Sequence, residues 1–270
     1  MDTVFAVEGD IWTPRAAAAG FNGPGMHGGA VGAMLTGACE LRAKTLDHDP
    51  ANPFFPLVSS VFLLRPVPRK AVEVRVDTLR QGGRGLFLRS EAWADDKLQA
   101  TAQVAFARAA AIPGMPEPDF QPMNPEEGKP GVMKGPGEPW LGDIVEMRFT
   151  ADGLCWIKND RPLFPAETPL ARAACAADWS SGTWRPDGWR APKAKWFPNV
   201  ELGVRMSRAP RGQWIGFRNR QHWRQNGLGV TETELFDRGG AFGSASQSLV
   251  LAPLDGPGGP GLGSSPVPPS

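Results

Sequence analysis

The sequence predicts an α+β protein in which one buried helix, followed by several antiparallel strands, occurs twice in the same chain. Three observations carry this prediction. One stretch, 28–44, is small or apolar on nearly every face until Glu40, as only a buried helix can be, and a second, 165–181, is again rich in Ala and Leu. Each is followed by short runs that alternate apolar and polar residues. The two sets of runs also repeat at a fixed spacing: Gly85 and Gly229, like Gln103 and Gln247, are 144 residues apart, and Arg65 and Arg208 are 143 apart.

The first helix follows FNGPGMHGGAVGAML (21–35), where Gly23, Gly25 and Gly28 spell G-x-G-x-x-G. A dinucleotide fingerprint needs a hydrophobic strand before it and a βαβ unit after it. TPRAAAAGFN makes no such strand, antiparallel-looking runs follow the helix, and no G-K-[ST] completes a P-loop. Two readings of the glycines remain. The free N–H groups and dipole of a helix start favour negative charge, so a developing oxyanion or a phosphate suits the place. Alternatively, Gly28 and Gly29 let the helix pack tightly under its sheet.

The strands come next. SSVFLLRPVP (59–68) ends in Arg-Pro, and in VEVRVDTL the valines at 72, 74 and 76 face opposite to Glu73, Arg75 and Asp77. DDK (95–97) supplies a turn. The Pro/Gly-rich run 112–139 reads as a connector between an N-terminal domain, 1–111, and a C-terminal one, 140–253. In the second helix, Thr168 is placed to cap the N-terminus with Pro169 at the first helical position. VELGVRMSRAP (200–210) repeats the strand that ends in Arg and Pro, and DRGG (237–240) the turn. The tail, 254–270, has almost nothing to bury and reads as disordered.

Of the 270 residues, 41% are hydrophobic, enough for a sizeable core, and 29 Lys plus Arg nearly balance 28 Asp plus Glu. That balance gives no field to draw nucleic acid or an anionic membrane, leaving small molecules or uncharged surfaces as partners. The start lacks a signal peptide, and no run approaches a membrane span, so a cytoplasmic protein is expected. Cys39, Cys155 and Cys175 lie far apart without C-x-x-C and read as buried thiols. His27, His48 and His222 have no ligand spacing, so neither a metal nor a cofactor is expected. The absence of G-x-S-x-G argues against a serine hydrolase of the α/β kind.

The H-G-G opening of a buried helix (27–29), the strands ending in Arg and Pro, and the closing D-R-G-G-x-x-x-x-A-S-Q-S-L-V (237–250) resemble the acyl-CoA thioesterase II family over about residues 10–253. The resemblance implies a double hotdog, each unit a long helix wrapped by an antiparallel sheet. It also implies hydrolysis of an acyl-CoA-like thioester by an activated water, releasing free acid and CoA. In that family an Asp, a Thr and a Gln, mainly from the second half, hold the water. Counting from Arg208 and Gly229 puts Glu201 at the acid position, His222 where the Thr would stand, and Gln247 at the Gln. Either carboxylate or imidazole could take a proton from water, and the amide could orient it. His27, Gly28, Gly29 and Asp178 are expected to contact the substrate, and Trp179, Trp184, Trp189 and Trp196 to form a plain hydrophobic loop core or, alternatively, to line an acyl tunnel. The resemblance further implies a homo-oligomer. Because Glu201 and His222 depart from the family pattern, an inactive acyl-thioester-binding or scaffolding protein stays open. HDPANP (48–53) also suggests a hotdog enoyl-CoA hydratase, although its spacing is wrong for that motif.

Overall fold

The computed structural model describes residues 2–21, 24–116, 123–131, 138–183, 195–196 and 198–253. The first half contains strands β1 (Phe5–Glu8) and β2 (Ile11–Pro14), helix α1 (Gly28–Leu46), and strands β3 (Phe55–Leu63), β4 (Val72–Gln81), β5 (Gly85–Ala94) and β6 (Lys97–Ala107). There follow β7 (Lys129–Gly131), β8 (Val145–Phe149), β9 (Cys155–Asn159), α2 (Pro169–Asp178), α3 (Ser180–Thr183), β10 (Lys195–Trp196), β11 (Asn199–Met206), β12 (Ile215–Trp223), β13 (Leu228–Asp237), β14 (Gly240–Val250) and β15 (Ala252–Pro253). Within the stretch read as a connector, β7 pairs with β8 and so extends the sheet of the second half. The tail lies outside the described residues, as do Trp184, Trp189 and the side chain of Trp196.

Thirteen strands form one antiparallel sheet in the order β1-β2-β4-β5-β6-β3-β11-β14-β13-β12-β9-β8-β7. The halves are joined where β3 and β11 pair, with Val61 opposite Leu202. α1 packs on β3–β6, α2 packs on β11, β12 and β14, and the two helices pack on each other. The core is therefore continuous across the halves, and both helices lie in it. The ten-residue α2 is about half as long as the nineteen-residue α1. All three cysteines are free and buried.

Strand pairing places the duplication at 143 residues throughout. Ser59, Val104, Leu88 and Thr78 form one cross-strand row, and Leu202, Gln247, Thr231 and Gln221 form the row that corresponds to it. The sequence-based matches at 144 are thus one residue out. Gln247 corresponds to Val104, while Gln103 faces the other side of the sheet and is exposed. Because strand side chains alternate, a shift of one residue exchanges faces.

The Arg-Pro and D-R-G-G motifs of the second half meet in a structural lock. Fully buried Asp237 accepts from Arg208 at 2.5 and 2.9 Å, from the Arg211 N–H at 2.6 Å and from the Gly239 N–H at 2.7 Å. These donors hold its carboxyl below the usual carboxylate range against the opposing effect of burial.

Candidate active site

Each helix start is met by a carboxylate from the other helix. At α2, Thr168 has the extended backbone of a capping residue, but its side chain does not cap the helix. Its hydroxyl instead donates to Glu40 of α1, whose carboxyl also accepts from the N–H groups of Leu170 and Ala171 at 3.1 and 3.0 Å. This replaces the expected Thr168 cap with one supplied across the core. Those second-half amides are thereby occupied. Burial pushes the Glu40 carboxyl up to about 7 despite these hydrogen bonds.

At α1 the partner is Asp178, the last residue of α2 and buried. Its Oδ2 accepts from the Gly29 N–H at 2.6 Å and lies 2.9 Å from His27 Nδ1. Its Oδ1 accepts from the Asn199 amide. The negative charge that the helix start favours is therefore the protein's own carboxylate. The glycines serve a close approach, of the second helix rather than of the sheet. A Cβ on Gly28 would lie 2.9 Å from Asp178 Oδ1, and one on Gly29 would lie 2.7 Å from the Cys175 carbonyl oxygen. Only glycines let the end of α2 approach so closely.

His27, Gly28, Gly29 and Asp178 are thus brought together. The imidazole of His27 stacks on Trp179 with centroids 4.4 Å apart, and Trp140 crosses Trp179 edge-on at 5.6 Å. The buried indole nitrogens of Trp140 and Trp179 have no acceptor among the described residues. Gln247, fully buried, adjoins the cluster. Its Nε2 donates to the carbonyl of Ala177 at 2.5 Å, one residue before Asp178, and to Ser180 Oγ at 2.9 Å. Its Oε1 is buried without a donor among the described residues. Along the same inner row, the Thr231 hydroxyl donates to Gln221, which itself donates to the Ser180 carbonyl at 3.4 Å. At the corresponding row of the first half, Leu88 and Val104 make the site apolar, so this polar constellation belongs to the second half alone.

Glu201 and His222 do not join Gln247. The cross-strand row His222, Val230, Ser248, Glu201 runs along the outer face, while Gln221, Thr231, Gln247, Leu202 runs along the inner one. Glu201 is beside Arg205, and partial burial raises its carboxyl. Half-exposed His222 is 3.5 Å from Glu232. The reason is a bulge: the β11–β14 register shifts between Asn199 and Glu201. The bulge turns Asn199 inward to Asp178 and Glu201 outward. Counting along β11 cannot reveal it, so Asn199 was missed. Thr231 carried a weak signal, because Thr-Glu-Thr-Glu (231–234) alternates as a strand with its threonines on one face.

The sequence matches the acyl-CoA thioesterase N-terminal domain over residues 17–108 and the acyl-CoA thioesterase C-terminal domain over 117–251. No curated protein matches it. Among solved structures, the acyl-CoA thioesterase II TesB2 of Mycobacterium marinum is 14% identical, with a TM-score of 0.66, covering 92% of this chain and 94% of that one. A conserved hot dog fold protein of unknown function from Alicyclobacillus acidocaldarius is 16% identical, with a TM-score of 0.66 over 92% and 95%. The tesB protein of Mycobacterium avium subs paratuberculosis is 18% identical, with a TM-score of 0.58 over 90% and 92%. At such identities the likeness is one of fold, and that fold is the double hotdog.

Proposed function

This chain belongs to the acyl-CoA thioesterase family, and from that premise we propose that it hydrolyses an acyl-CoA-like thioester by direct attack of water, releasing free acid and CoA. The observation that carries this reading is the buried polar constellation at the start of α1. A carboxylate and an imidazole meet at the start of α1, and Gln247 hydrogen-bonds Ala177 and Ser180 on either side of that carboxylate's residue in the chain. Gln247 Oε1 accepts a hydrogen from the attacking water and orients its lone pair. Burial pushes Cys39 up to about 12 and Cys175 higher still, so neither thiol supplies a nucleophile. The Gly29 N–H is taken by Asp178 and is therefore not the donor to the thioester oxygen.

A panel of acyl-CoAs of increasing chain length, followed by release of free thiol, tests the activity. Gln247→Leu, close in volume, is expected to lower kcat about 100-fold while the protein stays folded. Unchanged turnover in that variant would remove Gln247 from the site. Binding of one acyl-CoA without release of thiol from any would favour the acyl-binding alternative. The combined variant Glu201→Gln, His222→Asn is expected to hydrolyse as the wild type does, because both side chains are on the outer face.

A further inference from the structure

An antiparallel sheet that is packed on one side and wetted on the other alternates apolar residues with polar ones. β3, sixth of the thirteen strands, carries apolar side chains on both faces instead. Val61 is fully buried under the helices, yet Phe62 is 46% exposed on the outer face. Leu57, in the bulge between Pro56 and Val58, is 41% exposed, and Leu64, just past the strand, is 49% exposed. Single exposed apolar residues are common on any protein, but a contiguous column of them at the centre of a sheet marks a contact surface. We propose that this outer face is the interface of a two-fold dimer, in which a second copy of the chain packs sheet against sheet with its β3 over the first copy's β3.

The face is complementary to itself. Its central cross-strand row is Gln103, Ser60, Gly203, Ser246. On one side of that row are Thr101, Phe62, Glu201 and Ser248, and on the other Ala105, Val58, Arg205 and Ser244. A two-fold axis along the central row lays each flanking row on the opposite flanking row of the partner. Thr101 then faces Ala105, Phe62 faces Val58, Glu201 faces Arg205 and Ser248 faces Ser244. Leu64, beyond Phe62, likewise meets Leu57, beyond Val58. An axis along the strands would exchange β3 with β11 and set Phe62 over Glu201 and Val58 over Arg205. Charge and hydrophobicity therefore select the first axis.

Shape agrees with this choice. Small residues at Ser60, Gly203 and Ser246 let two sheets approach to the usual spacing of about 10 Å. A Cβ on Gly203 would lie 2.9 Å from Glu201 Oε1 and 3.5 Å from Arg205 Nη1, so these two side chains lean toward each other over the axis. In the dimer two carboxylates and two guanidiniums gather there, and each Glu201 gains the partner's Arg205. The strands β6, β3, β11 and β14 are neighbours. At about 4.8 Å per strand and about 30 Å of length they cover about 570 Å² in flat projection. Side-chain relief brings that to the order of the roughly 800 Å² that each partner buries in a stable complex. Twist of about 20–25° between neighbouring strands carries the more distant strands of the two sheets apart, which confines the contact to these four.

Analytical ultracentrifugation of the full chain is expected to give twice the 29.0 kDa of one copy. Phe62→Lys changes a side chain that is exposed in the single chain, and it is expected to weaken association about 100-fold without lowering the thermal melt. Glu201→Arg and Arg205→Glu should each weaken association, because like charges then face each other across the axis, and the two together should restore it. Ser60→Cys sets a thiol beside its own copy on the axis. The three native cysteines are buried, so a short bismaleimide should join two copies through position 60, and should fail to do so when Phe62→Lys is added. Wild-type protein that sediments as a single copy at about 100 μM overturns the proposal. So does an assembly that Phe62→Lys leaves intact, or a double charge reversal that associates no better than the single ones. Should Phe62→Lys not fold, the cross-link in Ser60→Cys decides, and its absence overturns the proposal. None of these measurements needs a substrate, so their outcome is separate from that of the hydrolytic reading.

Discussion

Gly29→Ala is expected to cut thioester hydrolysis at least 100-fold and to cost about 1–3 kcal/mol of stability. In an exposed helix this substitution would gain up to about 1 kcal/mol. Here the new Cβ would lie 2.7 Å from the Cys175 carbonyl oxygen and 3.3 Å from Cys175 Cα, main-chain atoms that no rotamer change can move aside. The ends of the helices must then separate, and that separation carries Asp178 away from the Gly29 N–H and from His27. Displacements of about 1 Å are enough to lose two orders of magnitude in rate. Gly83→Ala is the control. Nothing lies within 4 Å of its added carbon, and neither activity nor stability should change. Thermal melts and thiol-release assays on both variants check the pair; full activity in Gly29→Ala would show that the close approach of the helices does not set the site.

Glu40→Ala is expected to cost about 3 kcal/mol, because it strips acceptors from the buried Leu170 and Ala171 N–H groups and the Thr168 hydroxyl, and leaves a cavity between the helices. The pH dependence has a definite sign. The folded-state carboxyl is raised to about 7 from 4.5, so folded protein binds more protons than unfolded protein between those values. The stability contributed by the protonated form is fully present below about pH 4.5 and is lost as pH rises through 7. One pKa unit corresponds to about 1.4 kcal/mol, which gives a slope worth about 3 kcal/mol across that window. Glu40→Gln should flatten this component, a difference that denaturant titrations at pH 5 and pH 7.5 can measure. An identical pH slope in wild type and Glu40→Gln would show that the carboxyl does not titrate there.

The two carboxylates divide the labour between pseudo-equivalent helix starts. Glu40 closes the start of α2 with a fully buried cap, whereas Asp178 at α1 shares its charge with His27 beside an opening. The chain thereby retains one polar site from a plan that repeats itself. The inner row agrees: Gln221, Thr231 and Gln247 in the second half answer to Thr78, Leu88 and Val104 in the first.

Much of the fold is legible in the sequence. The helix expected over 28–44 spans Gly28–Leu46, and the turns at Asp95–Asp96 and Arg238–Gly239 fall where their residues place them. Val72 and Val74 are buried while Arg75 and Asp77 face outward, as alternation required. H-G-G marked a close approach, because glycine at a helix start leaves a physical trace: something must come near. What approached could not be read.

The sequence by itself determined the duplication, the two buried helices, the antiparallel strands and the family, since periodicity, turn residues and short motifs are local properties of the chain. Only the tertiary structure decided which side chains meet. One bulge at Asn199–Glu201 exchanged an expected acid for an amide, and a one-residue error in the repeat exchanged Val104 for Gln103. Asp178 reached His27, 151 residues away in the chain, because the end of one helix packs on the start of the other. Face and partner depend on strand register and helix packing, which are set by contacts between distant segments and leave no spacing in the sequence to count.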